Sequence, residues 1–251
     1  MKRPTLHVGT AGWSIPSQYV DHVPAGGSHL ERYARRFNAA EINSSFYRPH
    51  RRSTYERWAA STPDAFRFAV KMPKAITHDA ALIDGRAQLD RFAAEIAGLG
   101  DKLGVILVQL PPKLAFRKQV ADRFFRALGA RIDVPAVLEP RHASWFTPDA
   151  DGWLIKRRIA RVAADPARVD GAGVPGGWSK LSYYRWHGSP RIYYSAYDAV
   201  ALEALKRRIE KHRADQTWCM FDNTAASAAL GDALALTSLL PTPTRKDGVS
   251  N

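Results

Sequence analysis

Charged side chains follow directly on a short apolar run in the stretch AVLEPRHASW, residues 136–145. Glu139, Arg141 and His142 lie within four positions of one another there. Burial of an unpaired charge is costly, so a strand that ends in these groups either leads to a solvent-reachable site or holds them in a paired network. The stretch therefore predicts either a ligand site or a buried salt-bridge network.

Polar residues end other apolar runs in the same way. Side chains alternate between the two faces of a β-strand, so the apolar residues of each run indicate which way the polar ones point. If the apolar faces meet the helices, the polar faces meet inside the fold at one rim. We expect this inward set to comprise Glu41, Asn43, Lys71, Gln109, Glu139, Arg141, Asp165, Arg185 and His187. His142 then points to the opposite face or into the following loop.

The inward set contains three acids, three bases and one histidine that can change its charge near neutral pH. Equal numbers of acids and bases are typical of a self-satisfied structural network. However, a barrel interior is filled well by Val, Ile and Leu, and a polar cluster at one end is a costly filling. We favour a ligand pocket, and the structural network stays open as the alternative.

The residue types in this set suit chemistry on an anion. Lys71, Arg141 and Arg185 would hold a phosphate or carboxylate, Glu139 or Glu41 would act as general base, and His187 would act as general acid. Carboxylate and imidazole groups also suit Zn, Mn or Mg, and the ligands would then be Glu41, Glu139, Asp165 and His187. The three cations already neutralise those acids, so we expect no metal and no other cofactor.

Aromatic and histidine side chains cluster at the same predicted rim: Trp13, Phe46, Tyr47, His78, His142 and Trp145. They could stack on a sugar or a base, although each alone is more often a packing residue. The segments HGSP and DNTAAS predict a further anion site, to which Ser189 would contribute after the seventh strand while Asn223 or Thr224 would cap the last helix.

Eight short apolar runs position these residues: LHVGTAG, AAEINSSFY, FRFAVKMP, LGVILVQLP, AVLEPRH, IARVAADP, LSYYRWHG and TWCMFDN. Amphipathic segments separate them, and strands that alternate with helices are typical of parallel βαβ units. Eight such units in a chain of 251 residues predict an α/β fold, a single TIM-type (β/α)8 barrel. We expect this barrel domain at residues 1–240 and a flexible tail at residues 241–251.

Composition limits the partners. A formal net charge of +13 and a pI near 10.1 predict weak, non-specific binding of nucleic acid. Cys219 is the single cysteine, which excludes an intrachain disulfide and fits the cytoplasm. The sequence has neither a signal-peptide pattern nor a long apolar run, so we expect no membrane contact. GAGVPGG contains Pro175 and opens no helix, so a dinucleotide site is not expected.

Taken together, VGTAGW, EINSSFYRPH, RFAVKMPKAITH, LGVILVQLPP, EPRHASW, RWHG and FDNTAASAA resemble the YecE-like family, domain of unknown function 72. The resemblance implies a TIM-type barrel and brings no established reaction. It marks as motif positions Glu41, Asn43, Lys71, His78, Gln109, Glu139, Arg141, Trp145, Asp165, Arg185, His187 and Asn223. Asp222 stands where the family pattern leads us to expect Asn, which adds a carboxylate of open role.

Several functions are consistent with these features. The leading hypothesis is a barrel protein that binds or acts on a phosphate-bearing or other anionic substrate, with Trp13 and Tyr47 among the contacts. A non-catalytic nucleic-acid binding protein and a small-molecule sensor are alternatives. A metal-dependent hydrolase similar to phosphodiesterase barrels is a further one, and it rests on fold analogy alone.

Overall fold

The apolar runs form β-strands in the computed structural model of the protein, which describes residues 4–83, 85–212 and 214–240. The tail predicted at residues 241–251 lies outside the described residues. The strands are β1 (Thr5–Thr10), β2 (Ala39–Ile42), β3 (Arg67–Lys71), β4 (Leu103–Gln109), β5 (Ala136–Glu139), β6 (Ala160–Arg161), β7 (Ala163–Asp165), β8 (Gly176–Gly177), β9 (Leu181–Trp186) and β10 (Gln216–Phe221).

The amphipathic segments between the strands form the outer helices. In α4 the buried residues Ala121, Phe124, Phe125 and Leu128 recur at helical spacing, so one face packs on the sheet. The α-helices are α1 (His29–Ala34), α2 (Arg52–Ala60), α3 (Arg86–Ile96), α4 (Lys118–Gly129), α5 (Pro148–Lys156), α6 (Ala199–Lys211) and α7 (Ala228–Leu239). In the described part of the chain, no helix combines the length and apolarity needed to cross a membrane.

The strands pair in parallel in two groups, with the orders β1-β10-β9-β7 and β2-β3-β4-β5-β6, and β8 adds an antiparallel edge to β6. The groups meet at two seams. Ala11 bridges to Glu41 beside β1 and β2, and β6 continues into β7 through Val162, whose N–H donates to Leu138 O at 2.9 Å. With β6 and β7 counted as one and the antiparallel edge strand β8 left out, eight strand positions form the predicted TIM-type α/β barrel.

The seam between β1 and β2 is held by a tyrosine in place of a regular ladder. The buried Tyr33 hydroxyl accepts from Thr10 N at 2.8 Å and donates to Ala39 O at 3.0 Å. Gly9 is required there because a Cβ atom on it would lie 2.0 Å from Ala39 O. A missing side chain and a bridging hydroxyl therefore bring the two strands together.

The core has an inner and an outer part, which follow the alternation of side chains. The outer part lies between strands and helices and includes Phe68, Val70, Ile106 and Val108. The inner part fills the barrel with Ala39, Ala69, Val105, Leu107, Val137, Ala160, Val162, Leu181, Tyr183, Trp218 and Met220. Polar side chains replace these apolar ones towards the carboxyl ends of the strands, which is the end where barrel enzymes hold their active sites.

Candidate functional site

Six buried polar side chains continue the inner face of the strands at the carboxyl end of the barrel. Each stands two residues beyond an apolar inner residue, as Glu41 does after Ala39 and Lys71 does after Ala69. Strand alternation thus places them together from distant parts of the chain. They are Glu41, Lys71, Gln109, Glu139, Arg185 and Asp222.

Arg185 is the centre of this group and is fully buried. Its Nε and Nη2 donate to the two oxygens of Glu41 at 3.0 and 2.7 Å. Nη1 donates to Glu139 Oε2 at 2.6 Å and to Gln109 Oε1 at 3.5 Å, and Nη2 also donates to Asp222 Oδ2 at 2.8 Å. These contacts use all five guanidinium N–H groups, so Arg185 has no donor left for a ligand. The anion-clamp role predicted for Arg185 does not fit this geometry.

The charges of the Arg185 network stabilise one another. Burial alone would raise the pKa of Glu139, but Arg185, His187 and Arg141 outweigh it and hold that pKa well below its usual range. Burial opposes the charge of Arg185 as well, yet Glu41, Glu139 and Asp222 raise its pKa well above the ordinary value. Glu139 and the guanidinium of Arg185 therefore stay charged together, as a buried pair requires.

His187 follows β9 and lies beside the network. Its Nδ1 is 3.1 Å from Asp222 Oδ2, and its Nε2 is 3.4 Å from Glu139 Oε1 without forming a hydrogen bond. Burial would lower the pKa of His187, but the contacts with Asp222 and Glu139 outweigh it and raise that pKa. The arrangement leaves one ring nitrogen anchored and the other free, which is the geometry of a proton donor or acceptor.

Arg141 contributes a second guanidinium next to His187. Its Nε and Nη2 donate to Glu139 Oε1 at 3.3 and 2.9 Å, and 12% of its side chain is exposed. A small cleft opens here between Arg141, His187, Ala164 and Tyr193. His142 turns away from it, and its Nδ1 lies 2.9 Å from Ser144 Oγ in the next loop. Arg141 is thus shared between the network and solvent.

Lys71 is the buried cation that the network does not pair. It is 5% exposed, and within the described residues its ammonium makes no hydrogen bond or ion pair. Nζ lies 4.2 Å from the centre of the Phe46 ring. Burial and the positive charge of Arg185 lower the pKa of Lys71 to about 8, despite the opposing effect of Glu41, Asp222 and Glu139. A partly desolvated, unpaired ammonium at a barrel rim is a group prepared to meet an anion.

The loops after β2 and β3 surround Lys71 with further ligand-type groups. Asn43 Oδ1 is buried and has no hydrogen-bond partner within the described residues. His78 lies in a π-helical turn, Ala75–Asp79, with its ring 5.0 Å from that of Phe46. Burial, Lys71 and Arg141 lower the pKa of His78. Tyr47 is 76% exposed beside Phe46. These residues belong to the loops that lie next to Lys71 at the carboxyl end of the barrel.

Asp165 lies outside this site, contrary to the prediction. It shares the outer face of its strand with Ala163, whereas Val162 lies on the inner face. Its Oδ1 accepts from the Tyr197 hydroxyl at 3.0 Å, and its Oδ2 lies 3.5 Å from Arg208 Nη1 on α6. The residues around Asp165 are small, so the sequence does not indicate which face of the strand points inward.

Asn223 also faces outward. Its Nδ2 donates to Asp232 Oδ2 on α7 at 2.6 Å and to Ser195 O at 2.9 Å, so it fixes the last helix to the barrel. Neither Asn223 nor Thr224 caps that helix, because α7 begins after Ser227 without a side-chain cap. The anion site predicted there is not formed by these residues.

The two tryptophans predicted at the rim pack in the outer core. Trp145 is 1% exposed, and its Nε1 donates to Leu114 O at 2.9 Å. Trp13 packs edge-on against Trp58 and Phe68. Both residues shape the loops that surround the mouth, and neither lies beside the Arg185 network.

Asp222 is the site residue whose role the sequence left open. Trp218 and Met220 face the interior, so the same alternation carries Asp222 inward and its neighbour Asn223 outward. The two-residue spacing from Met220 predicts the inward direction of Asp222, whereas the resemblance marks Asn223 as the motif position. Asp222 contacts both Arg185 and His187 Nδ1, and so links the network to the imidazole ring.

The ligand set considered for a metal does not come together. Asp165 points to α6, and the guanidinium of Arg185 lies between Glu41 and Glu139. Across residues 4–83, 85–212 and 214–240 there is no group of three or more His, Cys, Asp or Glu side chains arranged to hold a metal ion. The geometry of these side chains fits a guanidinium-centred network.

The chain is similar to known proteins over most of its length. The family described as "Protein of unknown function DUF72" matches residues 7–249. The UPF0759 protein YecE of Escherichia coli is 34% identical over 166 residues, which cover 66% of this chain and 59% of that relative, less than two thirds of its length.

Solved structures extend the similarity to the fold. A DUF72 family protein of Enterococcus faecalis superimposes with a TM-score of 0.79 at 18% identity, covering 94% of this chain and 95% of the other. One of Thermotoga maritima gives a TM-score of 0.77 at 21% identity, with 94% and 98% covered. At these identities the solved structures establish a common fold.

Proposed function

The chain belongs to the DUF72 family of proteins of unknown function, and from that premise we propose that it binds a small phosphate-bearing or other anionic ligand at the carboxyl end of its barrel. The observation that carries this proposal is Lys71. Three buried carboxylates all contact Arg185, and the ammonium of Lys71 is left over. A structural network gains nothing from a buried cation without a partner, whereas a ligand site does.

The groups around Lys71 suit an anion. Arg141 keeps part of its guanidinium in solvent, and His78 and the amide of Gln109 add donors at the same end of the barrel. In this proposal Lys71 and Arg141 bind the anion, a role that the sequence predicted for Arg185 as well. Arg185 instead pairs with the carboxylates and keeps them away from the ligand. The burial of the site strengthens each contact with an anion relative to the same contact in water.

His187 offers a chemical step at this site. Asp222 anchors Nδ1, and Nε2 is free to give a proton to a ligand oxygen or to take one from it. Glu139 lies 3.4 Å from Nε2 and would stabilise the imidazolium. In this proposal the protein binds an anionic ligand and transfers a proton through His187.

Isothermal titration of inorganic phosphate at pH 7 tests the binding proposal. The comparison is between the parent, Lys71→Met and Lys74→Met. Lys74 is a matched control because it lies in the loop directly after β3 but is half-exposed and paired with Asp79 at 2.9 Å. We expect Lys71→Met to weaken phosphate binding at least tenfold and Lys74→Met to leave it unchanged. Equal affinity in all three proteins would refute the proposal.

A titration with duplex DNA separates the pocket from the general basic charge. Binding through the net charge of +13 should fall with salt at a slope of roughly −0.9 per phosphate contact and should be the same in Lys71→Met. Phosphate in a partly desolvated pocket is screened less. If Lys71→Met weakened duplex and phosphate binding alike, nucleic acid would enter the barrel mouth and a nucleic-acid binding function would replace the one proposed.

A further inference from the structure

The anion site continues into an exposed aromatic ring. Lys71 Nζ lies 4.2 Å from the centre of the Phe46 ring, and that centre lies 5.0 Å from the centre of the Tyr47 ring, so the ammonium is at most about 9 Å from Tyr47. Phe46 and Tyr47 end the short 3₁₀ helix that follows β2 at the rim. A buried cation and an exposed ring therefore lie within the span of one small ligand.

Tyr47 is far more exposed than its neighbour Phe46. Its ring meets Phe46 at 87° and is 76% exposed, whereas Phe46 is 8% exposed. A single exposed aromatic residue is ordinary on a protein surface. Here the ring lies within about 9 Å of an unpaired buried ammonium. Exposed aromatic side chains bind bases by stacking, at a free energy largely independent of which base is bound.

A third polar group lies at the carboxyl end of β2, in the same loop as Tyr47. Asn43 immediately precedes the 3₁₀ helix, and its buried Oδ1 has no hydrogen-bond partner within the described residues. An amide oxygen accepts hydrogen bonds, so it suits a hydroxyl group of the ligand and not its phosphate. A cation, a hydrogen-bond acceptor and an aromatic ring are the groups that a phosphate, a ribose and a base each require.

We propose that the ligand of this site is a nucleoside phosphate, with its phosphate on Lys71, a ribose hydroxyl donating to Asn43 and its base stacked on Tyr47. This inference rests on the proposed anion site and adds the class of ligand. One ribose separates phosphate from base by a distance compatible with that between Lys71 and Tyr47.

Titration calorimetry at pH 7 with adenosine 5′-monophosphate, ribose 5-phosphate and inorganic phosphate tests the inference. The proteins compared are the parent, Tyr47→Ala, Tyr47→Phe and Ile155→Ala. Ile155 is a control because it is a 50% exposed side chain in the last turn of α5, at the opposite end of the barrel. Tyr47→Phe keeps the ring and removes the hydroxyl.

We expect adenosine 5′-monophosphate to bind more tightly than the other two anions. Tyr47→Ala should weaken its binding by roughly fivefold or more, as the loss of one stacked base predicts, and should leave phosphate binding unchanged. Tyr47→Phe and Ile155→Ala should match the parent. If all three anions bound equally and Tyr47→Ala changed nothing, the nucleotide inference would be overturned and the anion site would stand. If no anion bound, the anion site itself would be overturned.

Discussion

Arg185 and Glu41 form a bidentate ion pair in the centre of the barrel, and both side chains are completely buried. The Tyr183 hydroxyl donates a further hydrogen bond of 2.8 Å to Glu41 Oε2. Tyr183 belongs to the apolar filling below, so the pair is fixed to the layer beneath it. This relationship makes Arg185 a structural residue of the barrel, and in the proposed function Lys71 and Arg141 are the cations that bind the ligand.

Arg185→Ala should therefore destabilise the fold. The substitution leaves Glu41, Glu139 and Asp222 buried without their common partner. Loss of one partner of a buried ion pair costs about 3–5 kcal/mol, and we expect at least that loss in the free energy of unfolding measured with urea at pH 7.

The exposed pair of Arg52 and Glu56 on α2 provides the comparison for Arg185. Both side chains are more than half exposed, so Arg52→Ala should change the free energy of unfolding by no more than about 1 kcal/mol. A parent-like stability of Arg185→Ala would mean that the three carboxylates are hydrated or protonated in the folded protein.

Asn223→Ala should act on stability and not on binding. Asn223 Nδ2 donates to Asp232 and to Ser195 O, and its loss leaves both acceptors buried without that donor. A lost buried hydrogen-bond partner costs about 1–3 kcal/mol. We expect urea denaturation to show this decrease and phosphate titration to show the parent's affinity. A large loss of phosphate affinity at unchanged stability would return Asn223 to the ligand site.

Asp222→Asn should lower the pKa of His187, because it removes the carboxylate that stabilises the imidazolium. A histidine whose pKa is raised in the folded state adds stability below pH 6.5, and this stability is lost as the pH rises through the raised value. In the parent, the contribution of His187 to the free energy of unfolding should be lost as the pH rises from 6.5 through the raised pKa, and in Asp222→Asn this loss should shift to lower pH. NMR titration of the imidazole measures the pKa directly.

Asp198→Asn is the control for this pair. Asp198 caps α6 and is exposed, away from His187. It should leave the titration of His187 unchanged. An unaltered pKa of His187 in Asp222→Asn would show that Glu139 alone sets it.

Alternation of side chains accounts for most of what the sequence predicts about the site. Glu41, Lys71, Gln109 and Glu139 lie on strands whose outer residues are large and apolar, so their inward direction follows from the pattern. Asp165 lies among alanines in a strand interrupted at Val162, and no pattern fixes its direction. Trp145 lies in a 3₁₀ helix, where a two-residue period does not apply.

The pairing of each cation with a particular carboxylate could not be predicted in this way. Lys71, Arg141 and Arg185 all face inward, and a strand pattern does not show which carboxylate each one reaches across the barrel. The register places Gln109 beside Glu139, and Arg185 reaches both from the other side of the interior. Side-chain length and depth along the barrel axis decide the pairing, and the sequence shows neither.

If Lys71 serves a ligand and not the fold, its buried charge should lower the free energy of unfolding of the protein. A pKa lowered to about 8 from 10.5 means that the folded state holds the charged lysine at a cost of about 3 kcal/mol at pH 7, at 1.36 kcal/mol per unit. The cation–π contact with Phe46 stabilises the charged ammonium by about 0.5–2 kcal/mol, so the charge still destabilises the folded state.

The most direct measurement is the free energy of unfolding of Lys71→Met and of the parent, by urea denaturation at pH 7 and again at pH 9. At pH 7 Lys71→Met should be more stable than the parent by about 1 kcal/mol or more, because the unpaired charge is gone. The difference should narrow at pH 9, where the parent's Lys71 is largely neutral in the folded state. If Lys71→Met instead lost several kcal/mol at pH 7, as expected for Arg185→Ala, Lys71 would be a structural member of the network and the account of the site would be wrong.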